Sequence, residues 1–493
     1  MSATLISPMA AKPAPAASRT PWRLIPAFET KPALVRLAQT VPGKLAMLAI
    51  FAGMYCLQSE SWLGMSVLIL LIAFLPKYRR VLVACGTAYW LLFHSSWFNW
   101  SMVRKVAERE GAVVNFAWLI PIATATCLAF AGGFCWTVSR WRNVRVMRRP
   151  VLLLGFGYAA LLLGACYAPV TPVGRVYLWS AVVLLGSYFW FIGYTLLDRN
   201  SKDRDPLALQ MGGWFPFWIG SSASLTPFPK GAAYLRKIEA RTPVDFAVTQ
   251  IKGLKLLLWT LMLSVMLAVF RTVTHGWLHI PVLTEAFAHS VARQPYPRSI
   301  EWTSLISDFL ETMLALSIWG NSVVACCRMA GFRAFRNTYR PFRARTVAEF
   351  WNRYYYYFKE LLVEFFLYPA FARYFKRHRR LRVFFATFCA ATLGNMVFHF
   401  IRDIHYVAEL GLAQALIGYH VYGFQCLVLG IAIGISQLRG RKPSATGPWL
   451  RQHAAPAAAM LGFFCLLHIF NDVGRTCPIR EHFRFLFSLF GFS

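Results

Sequence analysis

The sequence predicts an all-α protein that crosses a membrane many times, with about eleven transmembrane helices and additional interfacial or re-entrant helices. Of its 493 residues, 57% are hydrophobic and 15% are charged, whereas about 25% are charged in soluble proteins. Apolar runs approach the roughly 20 residues that cross a ~30 Å hydrocarbon layer. They lie near residues 43–57, 61–76, 81–98, 113–138, 150–168, 176–197, 253–273, 303–326, 383–402, 408–436 and 455–471.

The N-terminal segment differs in composition from the rest of the chain. Residues 1–40 contain the text PMAAKPAPAASRTP and no apolar core followed by a small-residue cleavage site. They are predicted to form a disordered cytoplasmic tail that is not a signal peptide. Residues 41–493 are predicted to form a single membrane-embedded domain.

The basic residues indicate sidedness. Lys and Arg outnumber Asp and Glu by 52 to 20, a net charge of +32 that would suggest nucleic acid in a soluble protein. Here the clusters fall in alternate loops between apolar runs, which is the positive-inside pattern, so we expect no nucleic-acid partner. The pattern places the N-terminus inside and the C-terminus outside, with residues 99–112, 169–175 and 274–302 in outside loops.

The sequence offers no cofactor or metal motif. Eleven cysteines lie mostly within apolar segments without a CxxC pair, which is typical of small core residues. There is no Walker loop, GxGxxG turn, HExxH or zinc-type spacing. We therefore expect no metal site and no tightly bound cofactor.

Residues 346–376 are too polar to face lipid on all sides and too aromatic for a plain loop. They include Glu349, Asn352, Arg353, Lys359, Glu360 and Glu364 among Phe350, Trp351 and the tyrosines 354–357. This composition predicts a helix at the cytoplasmic interface that dips into the helix bundle. The alternative is an aromatic anchor belt with basic flanks. For Glu360 and Glu364, pairing with Lys359 or arginines is simpler than acid/base catalysis.

A single histidine, His399, lies in the later apolar run FCAATLGNMVFHFIRD. Its unperturbed pKa near 6.5 suits a general base, and Asp403, four residues later on a helix, would share its face and orient the ring. The alternative is a structural histidine bonded to a neighbouring helix.

Several of these elements, in this order, resemble the membrane-bound O-acyltransferase (MBOAT) family over residues 205–490. The resemblance is to the bacterial branch of alginate O-acetylation and teichoic-acid D-alanylation proteins. It rests on Gly331-Phe332-Arg333, Asn337-x-x-Arg340-Pro341, Glu349-Phe350-Trp351, Tyr368-Pro369, Phe398-His399 and, more loosely, 226–231 with Arg236. The branch pattern reads Phe-Trp-Arg-Arg-Trp-His, whereas residues 350–355 of this chain read Phe-Trp-Asn-Arg-Tyr-Tyr, so Tyr355 replaces the final histidine. Phe400 replaces the glycine that follows the second family histidine, which corresponds to His399.

The resemblance implies an enzyme with His399 as the catalytic residue. Asn352 and Tyr355 would be neutral donors that position the thioester or its oxyanion. Arg333 and Arg340 would bind the phosphates of a cytoplasmic donor such as acyl-CoA, although anchoring of the topology explains these arginines equally well.

The predicted activity is transfer of an acyl group, most simply acetyl, to a hydroxyl of an envelope glycan or of a lipid-linked or secreted acceptor. The predicted location is the bacterial inner membrane. An acyl-thioester donor, the lipid bilayer and a carrier protein or periplasmic transferase are the expected partners. The alternatives are a transporter or flippase, or a non-catalytic partner of an envelope polymer complex.

The predicted topology can be tested with reporter-enzyme fusions. We expect cytoplasmic reporters to be active after Arg142 and Arg441, and exported reporters to be active after Gly111 and Ser493, because the basic loops stay inside. An active cytoplasmic reporter at Ser493 would mean that the span count is wrong by an odd number.

Overall fold

The computed structural model describes residues 24–93, 98, 100–141, 143–199, 205–214, 230–439, 450–471 and 477–492. Over these residues the chain is helical and has no strand; one isolated antiparallel bridge pairs Glu239 with Phe332. The helices of the first half are α1 Pro32–Gln39, α2 Val41–Tyr55, α3 Trp62–Phe74, α4 Arg79–Phe93, α5 Trp100–Arg109, α6 Phe116–Arg140, α7 Pro150–Tyr167, α8 Pro172–Arg199, α9 Leu207–Gln210, α10 Ala232–Ile238 and α11 Pro243–Arg271.

The second half begins on the side of the bundle where α11 ends. Its helices are α12 Leu283–Val291, α13 Arg298–Met329, α14 Val347–Tyr354, α15 Tyr356–Leu362, α16 Tyr368–Arg373, α17 Arg379–Phe388, α18 Asn395–Arg402, α19 His405–Leu410, α20 Leu412–Gly418, α21 His420–Arg439, α22 Ala455–Leu467 and α23 Ile479–Leu489. Wider π-helical turns occur at Thr272–Trp277, Val363–Leu367, Cys389–Gly394 and Leu450–Ala454.

Among the described residues, seven helices are long and apolar enough to cross a membrane, or eight if the bent pair α1 and α2 counts as one span. This supports a polytopic all-α protein, but the predicted count of about eleven spans is not confirmed. Four of the eleven predicted spans are missing from these seven. Three of them are too short for a full crossing, since α3 has 13 residues, α4 has 15 and α22 has 13, and the fourth, residues 43–57, belongs to the bent pair α1 and α2. The seven are Phe116–Arg140, Pro150–Tyr167, Pro172–Asp198, Pro243–Trp277, Arg298–Met329, Arg379–Arg402 and His420–Arg439.

The prediction of a disordered tail over residues 1–40 is wrong at its C-terminal end. Residues 1–23 lie outside the described residues, but Phe28–Thr30 forms a 3₁₀ turn and α1 follows it. Val35 and Ala38 of α1 pack against Ala247 and Ile251 of α11. The prediction of disorder rested on the Pro/Ala-rich composition of this region. That composition hid the few apolar positions of the short amphipathic helix α1, which follows it.

The loops fall into two groups at opposite ends of the bundle. At one end, Arg79 donates to the carbonyl oxygens of Gly331 (3.1 Å) and Ala240 (2.8 Å). At the other, Arg109 donates to Ala408 O (2.6 Å), and Glu110 pairs with Arg175 (3.5 Å). The charge pattern predicts the same grouping; which end faces the cytoplasm stays a prediction.

The chain after α13 turns back into the bundle instead of leaving it. Residues 337–339 run beside the junction of α14 and α15, where Tyr339 N donates to Arg353 O (2.7 Å) and Tyr356 N donates to Asn337 O (3.1 Å). The Thr338 hydroxyl donates to Tyr354 O (2.8 Å). These bonds replace helical ones, so the predicted single helix is interrupted at Tyr355, with φ −137° and ψ 63°.

A glycine on α13 makes room for this loop. A Cβ at Gly320 would lie 2.5 Å from Asn337 Nδ2 and 3.0 Å from Asn337 Cβ, and Asn337 is only 2% exposed. We expect Gly320→Ala to lower the free energy of unfolding by about 1–3 kcal/mol, because a buried side chain tied into a loop has little room to move. Thermal unfolding of the purified protein in detergent measures this loss.

The matched control is Gly157→Ala on α7, where no atom lies within 4 Å of the added Cβ. This variant should be as stable as the wild type or slightly more so, because alanine is the better helix former. Equal unfolding temperatures for Gly320→Ala and the wild type would contradict close packing of the loop on α13.

Candidate functional site

The polar and aromatic segment 346–376 begins with a capped helix. The Thr346 hydroxyl accepts from Glu349 N (3.1 Å), which satisfies an amide of the first turn of α14. Glu349 in turn pairs with Arg353 one turn later (2.7 Å). Phe350 is 1% exposed and lies 4.1 Å, ring to ring, from Phe464. One face of α14 is therefore buried in the bundle, so the segment is more than a surface aromatic belt.

Two π-helical turns pack against each other beside this segment. Val363–Leu367 contacts Cys389–Gly394, and Gly394 permits the approach. A Cβ at Gly394 would lie 2.6 Å from the ring of Phe366 and 3.0 Å from Leu362 Cδ2. Single π turns inside α-helices are frequent at functional sites. Here they join α15 to α16 and α17 to α18, so they set the rotation of the helix that carries His399.

His399 is half-buried among aromatic rings, three residues before the end of α18. Its ring centroid lies 4.4 Å from that of Tyr422, 5.5 Å from Phe398 and 6.0 Å from Phe358. The Tyr422 hydroxyl donates to Asn395 Oδ1 (3.2 Å), which fixes the tyrosine ring against the histidine. The structure thus places His399 where α15, α18 and α21 meet. Sequence reasoning missed Tyr422 and Asn395, whose only signal is that they are polar residues inside apolar helices.

Asp403 follows His399 by one turn, and its amide donates to His399 O (2.9 Å). Its carboxylate binds Arg402 through two bonds of 2.6 and 2.8 Å. The carboxylate is 9% exposed, so the adjacent guanidinium compensates its charge in a poorly solvated site. The orienting role of Asp403 on the imidazole stays a prediction.

The other predicted site residues lie at different depths. Tyr355 is half-buried at the break between helices, 5.3 Å from Phe358, so its ring is one contact removed from His399. Asn352 is exposed on α14, and its side chain makes no hydrogen bond within the described part of the chain. Arg333 and Arg340 are exposed on the loop before α14, where Arg340 lies over the Tyr339 ring (5.2 Å).

A buried ionic cluster lies on the next turns of the same segment. The ammonium group of Lys230 bonds to Glu360 (2.9 Å) and Glu364 (2.5 Å), and Lys359 also pairs with Glu360. This confirms that ion pairing accounts for Glu360 and Glu364, with Lys359 as predicted. The second cation, Lys230, comes from 130 residues upstream. Most of the Pro/Gly-rich loop before it, residues 215–229, lies outside the described residues, including the loosely matched Thr226–Pro229.

The cluster shifts the pKa values of its members in opposite directions. Burial disfavours the ammonium of Lys230, but Glu364 and Glu360 outweigh burial, and its pKa is raised. Burial likewise disfavours the carboxylate of Glu360, but Lys359 and Lys230 outweigh burial, and its pKa is lowered. Both shifts favour the ionised forms, so the cluster acts as a charge-paired brace.

Two further histidines bind acids of α13. His275 Nε2 lies 2.7 Å from Glu311, and His468 Nε2 lies 2.6 Å from Asp308. Within the residues that the structure describes, no group of three or more His, Cys, Asp or Glu side chains is arranged to hold a metal ion.

Neither comparison with models of known protein families nor a search of curated proteins finds a match to this chain.

The Lys230 brace predicts a large loss on removal of its centre. Lys230→Gln leaves Glu364 without its cation and Glu360 paired with Lys359 alone, so we expect the free energy of unfolding to fall by about 3–5 kcal/mol. Lys105→Gln, which removes an exposed ion pair with Glu409 (3.0 Å), is the matched control and should cost below about 1 kcal/mol. Similar losses in the two variants would contradict the brace.

The brace also predicts a pH window. The lowered pKa of Glu360 means that its contribution is present above the usual value of 4.5 and is lost as pH falls through the folded pKa. The raised pKa of Lys230 means that its contribution is present below 10.5 and is lost as pH rises through the folded pKa. The unfolding temperature should fall on both sides of this window in the wild type and less steeply in Lys230→Gln. Parallel profiles would overturn this assignment.

Proposed function

We propose that this protein is an integral-membrane O-acyltransferase that moves an acyl group from a thioester donor to a hydroxyl acceptor. The observation that carries the proposal is the setting of His399, a titratable ring half-buried among Phe358, Phe398 and Tyr422 inside a helix that can span a membrane. Ionisable side chains at such positions are costly and mark reaction or transport sites. The resemblance to the MBOAT family gives this histidine a specific task.

The chemistry follows from that task. A neutral ring nitrogen of His399 takes the proton of the acceptor hydroxyl as its oxygen attacks the thioester carbonyl carbon. The tetrahedral intermediate collapses, the carbon–sulfur bond breaks, and the leaving thiolate takes the proton from the His399 imidazolium, which restores the neutral base. The products are an ester and a free thiol. Tyr355 would supply a neutral donor for the oxyanion, since its ring is in contact with Phe358 beside the histidine.

The donor would bind from the end of the bundle where Arg333 and Arg340 are exposed. Two guanidinium groups on one loop suit the phosphates of acyl-CoA or of an acyl-carrier prosthetic group. Asn352, exposed on the following helix, would contact the arm that links those phosphates to the thioester. We place this end in the cytoplasm of a bacterium and the acceptor in its envelope, with a carrier protein or periplasmic transferase as the partner.

The decisive variant is His399→Ala. Loss of a general base typically costs 10²- to 10⁴-fold in rate, so acyl transfer in detergent from labelled acyl-CoA should fall by that factor while the unfolding temperature is maintained. Asn352→Ala and Tyr355→Phe should reduce turnover less, because each removes one hydrogen bond and leaves the base in place.

His289→Ala is the control, since His289 lies near the end of α12 away from this site, with its ring centroid 4.7 Å from that of Tyr296, and its turnover should be unchanged. Normal transfer by folded His399→Ala would refute the catalytic assignment. Absence of thioester turnover in the wild type would instead favour the transporter or the non-catalytic partner.

A further inference from the structure

The stretch from the end of α16 to the start of α17 presents an unusual density of exposed positive charge. Within eight residues it carries five cations that are all exposed, and no acidic residue interrupts them. No ion pair joins any of them to an acidic group in the part of the chain that the structure describes. The five are Arg373, Lys376, Arg377, Arg379 and Arg380. We name them the 373–380 patch.

The location of the patch defines its surroundings. Arg379 is the first residue of the membrane-spanning segment Arg379–Arg402, so the patch lies where that segment leaves the apolar layer. A shallow depression at this point is lined by His378, Arg379, Arg380 and Leu381. Basic clusters directly beside a membrane span attract anionic lipid headgroups.

Exposed aromatic rings accompany the cations. Tyr374 is 51% exposed and Phe375 is 40% exposed, and both rings contact Phe385 edge-on at 5.3 and 5.0 Å. Phe375 holds φ at +49°, a left-handed conformation that is unfavourable for a bulky side chain. The strained turn keeps an apolar ring on the α17 side while the cations point outward, which suits the boundary between acyl chains and headgroups.

We propose that the 373–380 patch binds the headgroups of anionic phospholipids in the leaflet that this end of the bundle faces. Four of the five cations are arginines, whose planar guanidinium groups bind phosphate oxygens in pairs, and no protein carboxylate competes for them in the described structure. The inference does not depend on the proposed acyl transfer, since none of these residues belongs to that site.

The test uses the full chain in detergent, titrated with phosphatidylglycerol and, separately, with phosphatidylcholine, and native mass spectrometry counts the retained lipid. The test variant is K376Q/R377Q/R380Q. The matched control is R104Q/K105Q/R480Q, which removes three exposed cations from α5 and α23, two helices that are not candidate spans. We expect the test variant to bind phosphatidylglycerol at least about tenfold more weakly than the wild type. The control should change binding by less than about twofold.

Several outcomes would overturn the proposal: equal losses in the two triple variants, equal retention of phosphatidylcholine by the wild type, or displacement of phosphatidylglycerol by equimolar inorganic phosphate or CoA. The last outcome would identify a site for soluble phosphates. If the test variant does not fold, the proposal is tested on the wild type alone, by the dependence of lipid retention on ionic strength. Wild-type retention of phosphatidylglycerol must then fall as ionic strength rises, and salt-independent retention would contradict headgroup binding.

Discussion

Backbone amides and carbonyls inside a membrane-embedded bundle must find partners within the protein, and this constraint shapes the centre of the structure. The loop before α14 meets it by bonding to the junction between α14 and α15. Asn337 contributes both its backbone oxygen and its side-chain oxygen, which accept from Tyr356 N (3.1 Å) and Tyr357 N (3.3 Å). The break at Tyr355 then redirects α15, so that Phe358 contacts His399. The surroundings of the histidine therefore depend on the bonds that Asn337 makes to the start of α15.

Charged groups obey the same constraint at two other places. Arg79, with 8% of its side chain exposed, bonds to the carbonyls of Ala240 and Gly331 and pairs with Glu239 (3.0 Å), which ties α4 to the ends of α10 and α13. Lys230 ties the segment before α10 to α15. Each buried cation has partners that are distant in sequence. Such partners are needed because an unpaired charge in the protein interior is strongly destabilising.

The sequence predicted the features that depend on composition and period. Long apolar runs correctly indicated seven helices that are long and apolar enough to cross a membrane, and the mix of charges and rings in residues 346–376 correctly indicated a partly buried helical segment. The interruption at Tyr355 could not be predicted, because its cause is the loop at 337–339. The pairing of Lys230 with Glu360 could not be predicted either, since the sequence around each residue contains no feature that indicates the other. The exposure of Asn352 likewise depends on how α14 is rotated.

The different depths of the candidate residues bear on how the proposed reaction would proceed. Arg333, Arg340 and Asn352 are exposed, whereas His399 is half-buried, so a donor held by its phosphates must extend its thioester inward to meet the base. The rings of Tyr355, Phe358 and His399 are in successive contact along that direction. An acyl-CoA separates its phosphates from its reactive carbon by a long flexible arm, and a carrier-bound acyl group does the same. Such an arm allows one donor to contact the exposed arginines and the half-buried histidine together, so the proposed function favours an extended thioester.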